Sequence, residues 1–333
     1  MRKYKLIMAL DRFGRHIHYL RISLTDRCNL RCVYCMPEGR VFRPKSDLMQ
    51  DDEILVFTRL FARLGFDKIR LTGGEPTLRP NLVSLVEQIA QTPGVRTLTM
   101  TTNGVLLNNL AEPLAKAGLQ RVNISLDTLD PQLFSAITQG GSLDDVWEGI
   151  RAAEEAGLTP VKINAVVLGD CNDQEIAHLA NLILTHPWQV RFIETMPFAG
   201  PTEMQCNQVV KAGDIKIQIE ASLGQLEEVN GGELDGEARL YRLPGALGNL
   251  GFIASVSQPF CASCTRTRLT ADGHLRLCLL RENEVDLLTP LRAGASMDDL
   301  RQMILEAIWN KPWGHGLSNG EIALNRTMSQ IGG

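Results

Sequence analysis

Cys28, Cys32 and Cys35 stand within eight residues at the spacing C-x3-C-x2-C, directly after the short apolar run Tyr19 to Leu24. A loop that short can turn three thiolates toward one point, and thiolates are the soft ligands that iron–sulfur clusters and zinc prefer. A cuboidal four-iron cluster normally takes four cysteines, so three would leave one iron open to bind a further molecule. A structural zinc would want a fourth ligand nearby, and His16 and His18 lie on the other side of the run. A redox C-x-x-C reading takes in Cys32 and Cys35 and leaves Cys28 unexplained. The open-iron cluster uses all three.

A second triplet, Cys261, Cys264 and Cys278, has the spacing C-x2-C-x13-C. Here zinc and a second cluster both stay open, because His274 would complete a three-cysteine, one-histidine set. Against zinc, Ala271 to His274 reads as a hairpin turn whose ring is solvated. If the segment after Cys264 is extended, Arg266 and Arg268 point to the same side. Two guanidiniums there offer fixed donors to phosphates or carbonyls. The chain ends Ile331-Gly332-Gly333. A terminal Gly-Gly is a frayed end, a slender tail threaded into a narrow site, or a ubiquitin-like carrier tail, and nothing upstream looks like a small carrier fold. Cys171 and Cys206 fit neither triplet and read as ordinary thiols.

Strands and helices alternate behind these groups. Apolar residues recur at helical spacing in 51–64, 81–91, 106–117, 143–156 and 173–185. Strand-like runs fall at 67–72, 95–101, 122–126, 161–168 and 190–195, six with the run at 19–24. Such alternation implies a parallel sheet with crossover helices. Six units are too few for a closed eight-fold barrel, which leaves an open partial barrel or a flat doubly wound sheet. Polar residues collect where each strand stops: the cysteine loop, Thr72 to Glu75, Thr101 to Gly104, Ser125 to Asp127, Lys162 with Asn164, and Glu194 to Met196. Singly these are turns at Gly73-Gly74 and Asn103-Gly104 and a helix cap at Asp127. Together they mark a site at the carboxyl ends of the strands. From about Pro201 the rhythm fails. Residues 220–242 read as a loop or edge region, before a second domain or extension that holds the second triplet.

Composition bounds the rest. The 333 residues are 44% hydrophobic and 22% charged, an ordinary globular balance. A net charge of -4 argues against a general nucleic-acid or membrane-surface binder. No apolar run approaches the roughly 20 residues of a membrane span, and residues 1–8 lack the apolar core of a secretory signal. Eight cysteines, six of them in two compact triplets, read as metal binding in a reducing cytoplasm.

The first triplet, with Tyr34 just before its third cysteine, resembles the signature of radical S-adenosylmethionine (SAM) enzymes. The chain from about Asp11 to Gly333 resembles one family among them, the GTP 3′,8-cyclases that begin molybdenum-cofactor biosynthesis. The resemblance is carried by Leu20 to Cys28, Ile69 to Pro76, Asn123 to Asp127, Arg191 to Pro197, Cys261 to Arg268 and the terminal Gly-Gly. It implies an α/β fold: a partial (β/α)6 barrel over residues 8–225, with a C-terminal region, 226–333, closing the barrel mouth. It implies two [4Fe-4S] clusters, one with SAM on Cys28, Cys32 and Cys35 and one with substrate on Cys261, Cys264 and Cys278. SAM contacts fall on Tyr34, Gly74, Ser125 and Met196. GTP contacts fall on Arg21, Arg70, Thr101, Lys162, Arg191, Arg266, Thr267 and Arg268. Arg266, Arg268, Gly332 and Gly333 would act in catalysis.

The implied reaction takes hydrogen from C3′ of the GTP ribose with a 5′-deoxyadenosyl radical and joins C3′ to guanine C8. The product, 3′,8-cyclo-7,8-dihydro-GTP, would pass to cyclic pyranopterin monophosphate synthase. A flavodoxin- or ferredoxin-type donor would supply electrons to a cytoplasmic monomer or homodimer with no nucleic-acid or membrane partner. Thr195 and Thr265 depart from the family, where an aromatic and an Asn are common, and Thr265 adjoins the GTP segment. Two other readings remain at this point: a peptide maturase with an auxiliary cluster, and a non-catalytic zinc scaffold.

Overall fold

The computed structural model describes residues 8–36, 39, 41–197, 209–317 and 325–332. Cys206 and Gly333 lie outside them. Six strands alternate with helices through the first part of the chain: β1 (Tyr19–Ser23), β2 (Lys68–Thr72), β3 (Thr97–Thr102), β4 (Arg121–Ser125), β5 (Lys162–Val167) and β6 (Gln189–Glu194). They pair in chain order, all parallel. The helices are α1 (Asp51–Arg63), α2 (Leu82–Ala90), α3 (Ala111–Lys116), α4 (Pro131–Thr138), α5 (Leu143–Glu155) and α6 (Ile176–Thr185). Every residue of β1 is buried, as expected for a parallel strand covered on both faces. One apolar core runs under the whole array, from Ile17 through Phe57 and Phe61 to Ile308.

Local chemistry starts the helices. Gln50 and Glu53 form a capping box on α1, Ser142 caps α5, and Asp130 caps α4 with Pro131 in its first turn. The helix expected over 106–117 is shorter, beginning only at Ala111. Helix α4 went unanticipated in the sequence, although Asp130-Pro131 is a start signal.

The C-terminal region does not stand apart from the sheet. After helix α7 (Ala212–Leu223) come β7 (Glu227–Glu228), β8 (Leu234–Asp235), β9 (Ala238–Arg242), β10 (Asn249–Ile253), β11 (Arg266–Leu269), β12 (His274–Arg276) and β13 (Glu284–Asp286). Strand β10 joins β6 in parallel, and β11 joins β1 in parallel. The order is thus β13-β12-β11-β1-β2-β3-β4-β5-β6-β10-β9-β7, with β8 on β9. Eight strands from β11 to β10 are parallel, and the array is not closed on itself. This is an open partial barrel lengthened at both edges by the C-terminal region. Residues 220–242, expected as a loop or edge region, hold the end of α7 and three short strands at the sheet's edge. Helices α8 (Leu288–Arg292), α9 (Met297–Trp309) and α10 (Met328–Ile331) complete the chain. No helix among the described residues is long and apolar enough to cross a membrane.

Candidate active site

The sheet curls so that its strand ends face one cavity, and all six cysteines of the two triplets line it. The first triplet sits on a loop that prolongs the β1–β2 ladder. Leu24 N–H donates to Thr72 O at 2.9 Å, Gly74 N–H to Thr25 O at 2.7 Å and Glu75 N–H to Arg27 O at 2.7 Å. Side chains at 73 and 74 would prevent this. A Cβ on Gly74 would lie 2.3 Å from Arg27 O. Further on, Arg31 and Val33 amides donate to the Thr138 and Ile137 carbonyls that end α4. Arg79 ties the start of the loop down by donating to Leu24 O, Met49 O and Asp51.

Glu75 is a buried carboxylate that sequence analysis did not single out beyond its Gly-Gly turn. It accepts from Thr77 N at 3.0 Å, Thr77 Oγ1 at 2.6 Å, Thr102 Oγ1 at 2.7 Å and Asn103 N at 2.7 Å. Burial pushes its pKa up while these donors pull it down. Asn103 in turn places its amide nitrogen 3.8 Å from Cys28 Sγ. Asp127 lines the cavity, as the reading of the strand ends as one site expects, and is not a helix cap; Asp130 caps α4. Instead Asp127 accepts from Tyr34 OH at 2.8 Å and from Val166 N at 2.8 Å. Burial raises its carboxyl to about 6 against those two hydrogen bonds. Ser125 and Met196 line the same cavity.

The second triplet closes the opposite side. Burial pushes the Cys264 thiol up, but Lys311 and Arg266 outweigh it and bring it down to about 6. At Cys32 burial acts with the nearby Asp127, Cys35 and Cys28 to hold the thiol well above its ordinary range. Of these two thiols, Cys264 has the more cationic surroundings. His274 does not line this cavity; its ring stays at the turn, with Nδ1 3.1 Å from Asp272 O. The fourth zinc ligand suggested by spacing is therefore not delivered by that residue. His315, which the sequence did not flag, lines the cavity, and its backbone N–H bonds to Cys261. Among the described residues no three His, Cys, Asp or Glu side chains gather closely enough for a single metal ion. Thiolates that hold a cuboidal cluster each bind a different iron and stand farther apart. The six thiols line the cavity as two triplets on opposite sides of it.

Between the triplets lie Arg21, Arg70, Arg191, Arg266 and Arg268, all lining the cavity and all but Arg266 fully buried or nearly so. Register explains the grouping: Arg21 on β1 pairs with Arg70 on β2 on one side and Arg268 on β11 on the other. Burial and Arg70 lower Arg191 to about 9. The Asn123 amide oxygen, turned to satisfy both neighbours, accepts from Arg70 at 2.8 Å and Arg191 at 2.9 Å. Thr101 also lines the cavity. Two expected members stand off it. Thr267 alternates to the opposite face of β11 and is fully buried, and Lys162 donates to Asp235 at 2.6 Å. Glu237, in the stretch that reads as a loop or edge region, enters the arginine group and accepts from Arg21 and Arg266.

The tail ends here too. Met328 lines the cavity. Gly332, at φ +85°, packs so that a Cβ would fall 2.7 Å from both Ser23 Cβ and Thr72 Oγ1. Gly332→Val should therefore lift the tail off β1 and β2. The expected readout is faster amide exchange over residues 327–332, and unchanged exchange would contradict this packing. Cys171 belongs to none of this; it packs beside Val33, Ile137 and Leu168.

Residues 22–183 match the family model of the Radical SAM superfamily, and residues 188–317 that of Molybdenum Cofactor Synthesis C. A GTP 3′,8-cyclase of Peptoclostridium acidaminophilum is 46% identical over 327 residues, covering 98% of each chain. Molybdenum cofactor biosynthesis protein 1 of Bos taurus is 45% identical over 323 residues, 96% of this chain and 51% of that protein. Among solved structures, Streptococcus suis SuiB bound to S-adenosylmethionine superposes with a TM-score of 0.63 at 17% identity, over 94% of this chain and 68% of that one. That last likeness is one of fold.

Proposed function

The chain belongs to the GTP 3′,8-cyclase family of radical SAM enzymes, and on that premise we propose that it converts GTP into (8S)-3′,8-cyclo-7,8-dihydroguanosine 5′-triphosphate, the first step of molybdenum-cofactor biosynthesis. The observation that carries this is one cavity lined by two cysteine triplets with five arginines between them. Cys28, Cys32 and Cys35 would hold a [4Fe-4S] cluster with SAM, and Cys261, Cys264 and Cys278 a second cluster facing the substrate. When bound, the first cluster and SAM supply a carbon-centred radical able to take hydrogen from a ribose; the protein positions and shields.

Its own residues divide that work. Gly74 leaves its backbone open to close approach by a ligand. Tyr34 is held by Asp127, and with Ser125 and Met196 it offers polar and soft apolar surface on the SAM side. Arg21, Arg70, Arg191, Arg266 and Arg268 give an acidic protein a locally basic chamber suited to a triphosphate. Thr101 lies on the same wall, Lys162 stands behind Asp235, and Thr267 serves through its backbone. The tail at Gly332 narrows the mouth, and Gly333 would act with it in catalysis. In this reading residues 8–225 are the radical-generating core and 226–333 the region that brings the second cluster. A small cytoplasmic flavodoxin or ferredoxin would deliver electrons to a monomer or homodimer, and cyclic pyranopterin monophosphate synthase would consume the product.

The test is an anaerobic assay of reconstituted protein with SAM, dithionite and GTP, following 5′-deoxyadenosine and the cyclised nucleotide together. Both should form with GTP and neither with peptides. Arg266→Ala should lower kcat/KM for the cyclised product by roughly 10- to 100-fold, the worth of one or two charge-assisted hydrogen bonds. Deoxyadenosine formed only with a peptide would overturn the reading.

A further inference from the structure

The arginine chamber already contains anions of its own. Strands β8 and β9 are joined by the two-residue turn Gly236-Glu237, and the hairpin brings two carboxylates to the cations. Asp235 accepts from Lys162 at 2.6 Å and from Gln189 at 3.2 Å. Glu237, 5% exposed, accepts from both Arg21 and Arg266. Burial would push its carboxyl up, but Arg266, Arg21, Arg70 and Arg191 outweigh that and hold it well below the usual range.

A triphosphate and these carboxylates compete for the same donors. The N–H groups that Arg21 and Arg266 give to Glu237 are withheld from phosphate oxygens for as long as that carboxylate stays. Like charges side by side in a buried chamber repel strongly. One arm of the hairpin is also lightly attached: β8 has two residues, pairs only with β9 and lies off the main path of the sheet, whereas β9 is held between β10 and β7. We propose that Glu237, assisted by Asp235, is an exchangeable counter-anion that holds the arginines in place without substrate and leaves with β8 and its turn, the movable arm of the hairpin, when a triphosphate binds. The inference rests on the reading of this chamber as a triphosphate site, and makes the hairpin a gate on it.

Two measurements on cluster-loaded protein without SAM decide it, with inorganic tripolyphosphate as probe. Glu237→Gln nearly preserves shape and removes the charge, so calorimetry should show it binding tripolyphosphate about tenfold tighter than the unaltered protein. In the unaltered protein, saturating tripolyphosphate should speed amide exchange over residues 234–237, the movable arm of the hairpin. This second readout needs no variant and stands even if Glu237→Gln folds poorly. Equal or weaker binding by a folded Glu237→Gln, or a hairpin whose exchange is unchanged or slowed by the probe, overturns the proposal and makes Glu237 a fixed strut or a substrate contact. Turnover of GTP by the unaltered protein is scored separately. Cyclised product with a stationary hairpin refutes the gate alone; a hairpin that opens without cyclised product refutes the assigned reaction alone.

Discussion

Gly74→Ala should strip the first cysteine triplet of iron and leave the second loaded. The added Cβ would lie 2.3 Å from Arg27 O and 2.6 Å from Arg27 C, and both contacts are with backbone, so no side chain can rotate away. Nor can the two segments simply part. Gly74 N–H is bonded to Thr25 O and Glu75 N–H to Arg27 O, each at 2.7 Å, and this ladder sets where Cys28 begins. Overpacking of this kind costs about 1–3 kcal/mol, which a chain with so extensive a core survives. The site does not. A displacement of about 1 Å in a positioned reacting group can cost about 100-fold in rate, so 5′-deoxyadenosine formation should fall at least that far. Iron should drop from about eight to about four per chain, the complement of one cuboidal cluster. A Gly74→Ala protein with full iron and normal deoxyadenosine formation would show that the close approach of these loops is not what holds the first triplet.

Much of this arrangement is written in short stretches of sequence. Strands β1 to β6 are legible because each is a short apolar or alternating run ended by polar or glycine residues, and the parallel order follows from the intervening helices. The cysteine spacing and the Gly-Gly-Glu turn belong to the same local level. Contacts between distant positions are less legible. Strand β11 pairs with β1 across more than two hundred residues, and nothing within either segment announces it. Glu237 lies 216 positions from Arg21 and 29 from Arg266, in a stretch whose Gly and Glu content reads as a loop or edge region. Only the folded sheet turns that acidic residue into a partner of arginines. Histidine 274 shows the converse. Its spacing suggests a zinc ligand, whereas the Thr270–His274 turn, closed by Thr270 Oγ1 on Asp272 at 2.7 Å, keeps the ring out of the cavity. Helix α4 was missed because it is only eight residues long, too few turns for an apolar period to show against its surroundings.

The second triplet has a support that the sequence did not reveal, and removing it should separate radical formation from cyclisation. Arg15 is 8% exposed and donates to Cys261 O at 2.6 Å, Trp313 O at 2.8 Å and Pro312 O at 2.7 Å. Its Nε pairs with the buried Asp11 at 2.6 Å. The guanidinium also lies 5.4 Å from the ring centroids of both Phe13 and Trp313, which meet edge to face at 5.2 Å. One side chain thus ties the N-terminal segment to the Cys261 loop and to the segment that carries Gly314 and His315 against Cys261. Arg15→Ala removes one partner of a buried ion pair, a loss of about 3–5 kcal/mol, and orphans three carbonyls on the loops around the second triplet. That triplet should bind its iron poorly, again leaving about four irons per chain, while the first, on the far wall of the cavity, stays intact. Arg15→Ala should therefore still release 5′-deoxyadenosine with SAM and dithionite but yield little cyclised nucleotide, the reverse of Gly74→Ala, which should lack both products. Arg15→Lys restores the charge to Asp11 but cannot span three carbonyls, so it should regain stability ahead of product formation. Equal loss of both products in Arg15→Ala, with the iron of the second triplet retained, would mean that Arg15 supports the whole fold and has no special tie to that site.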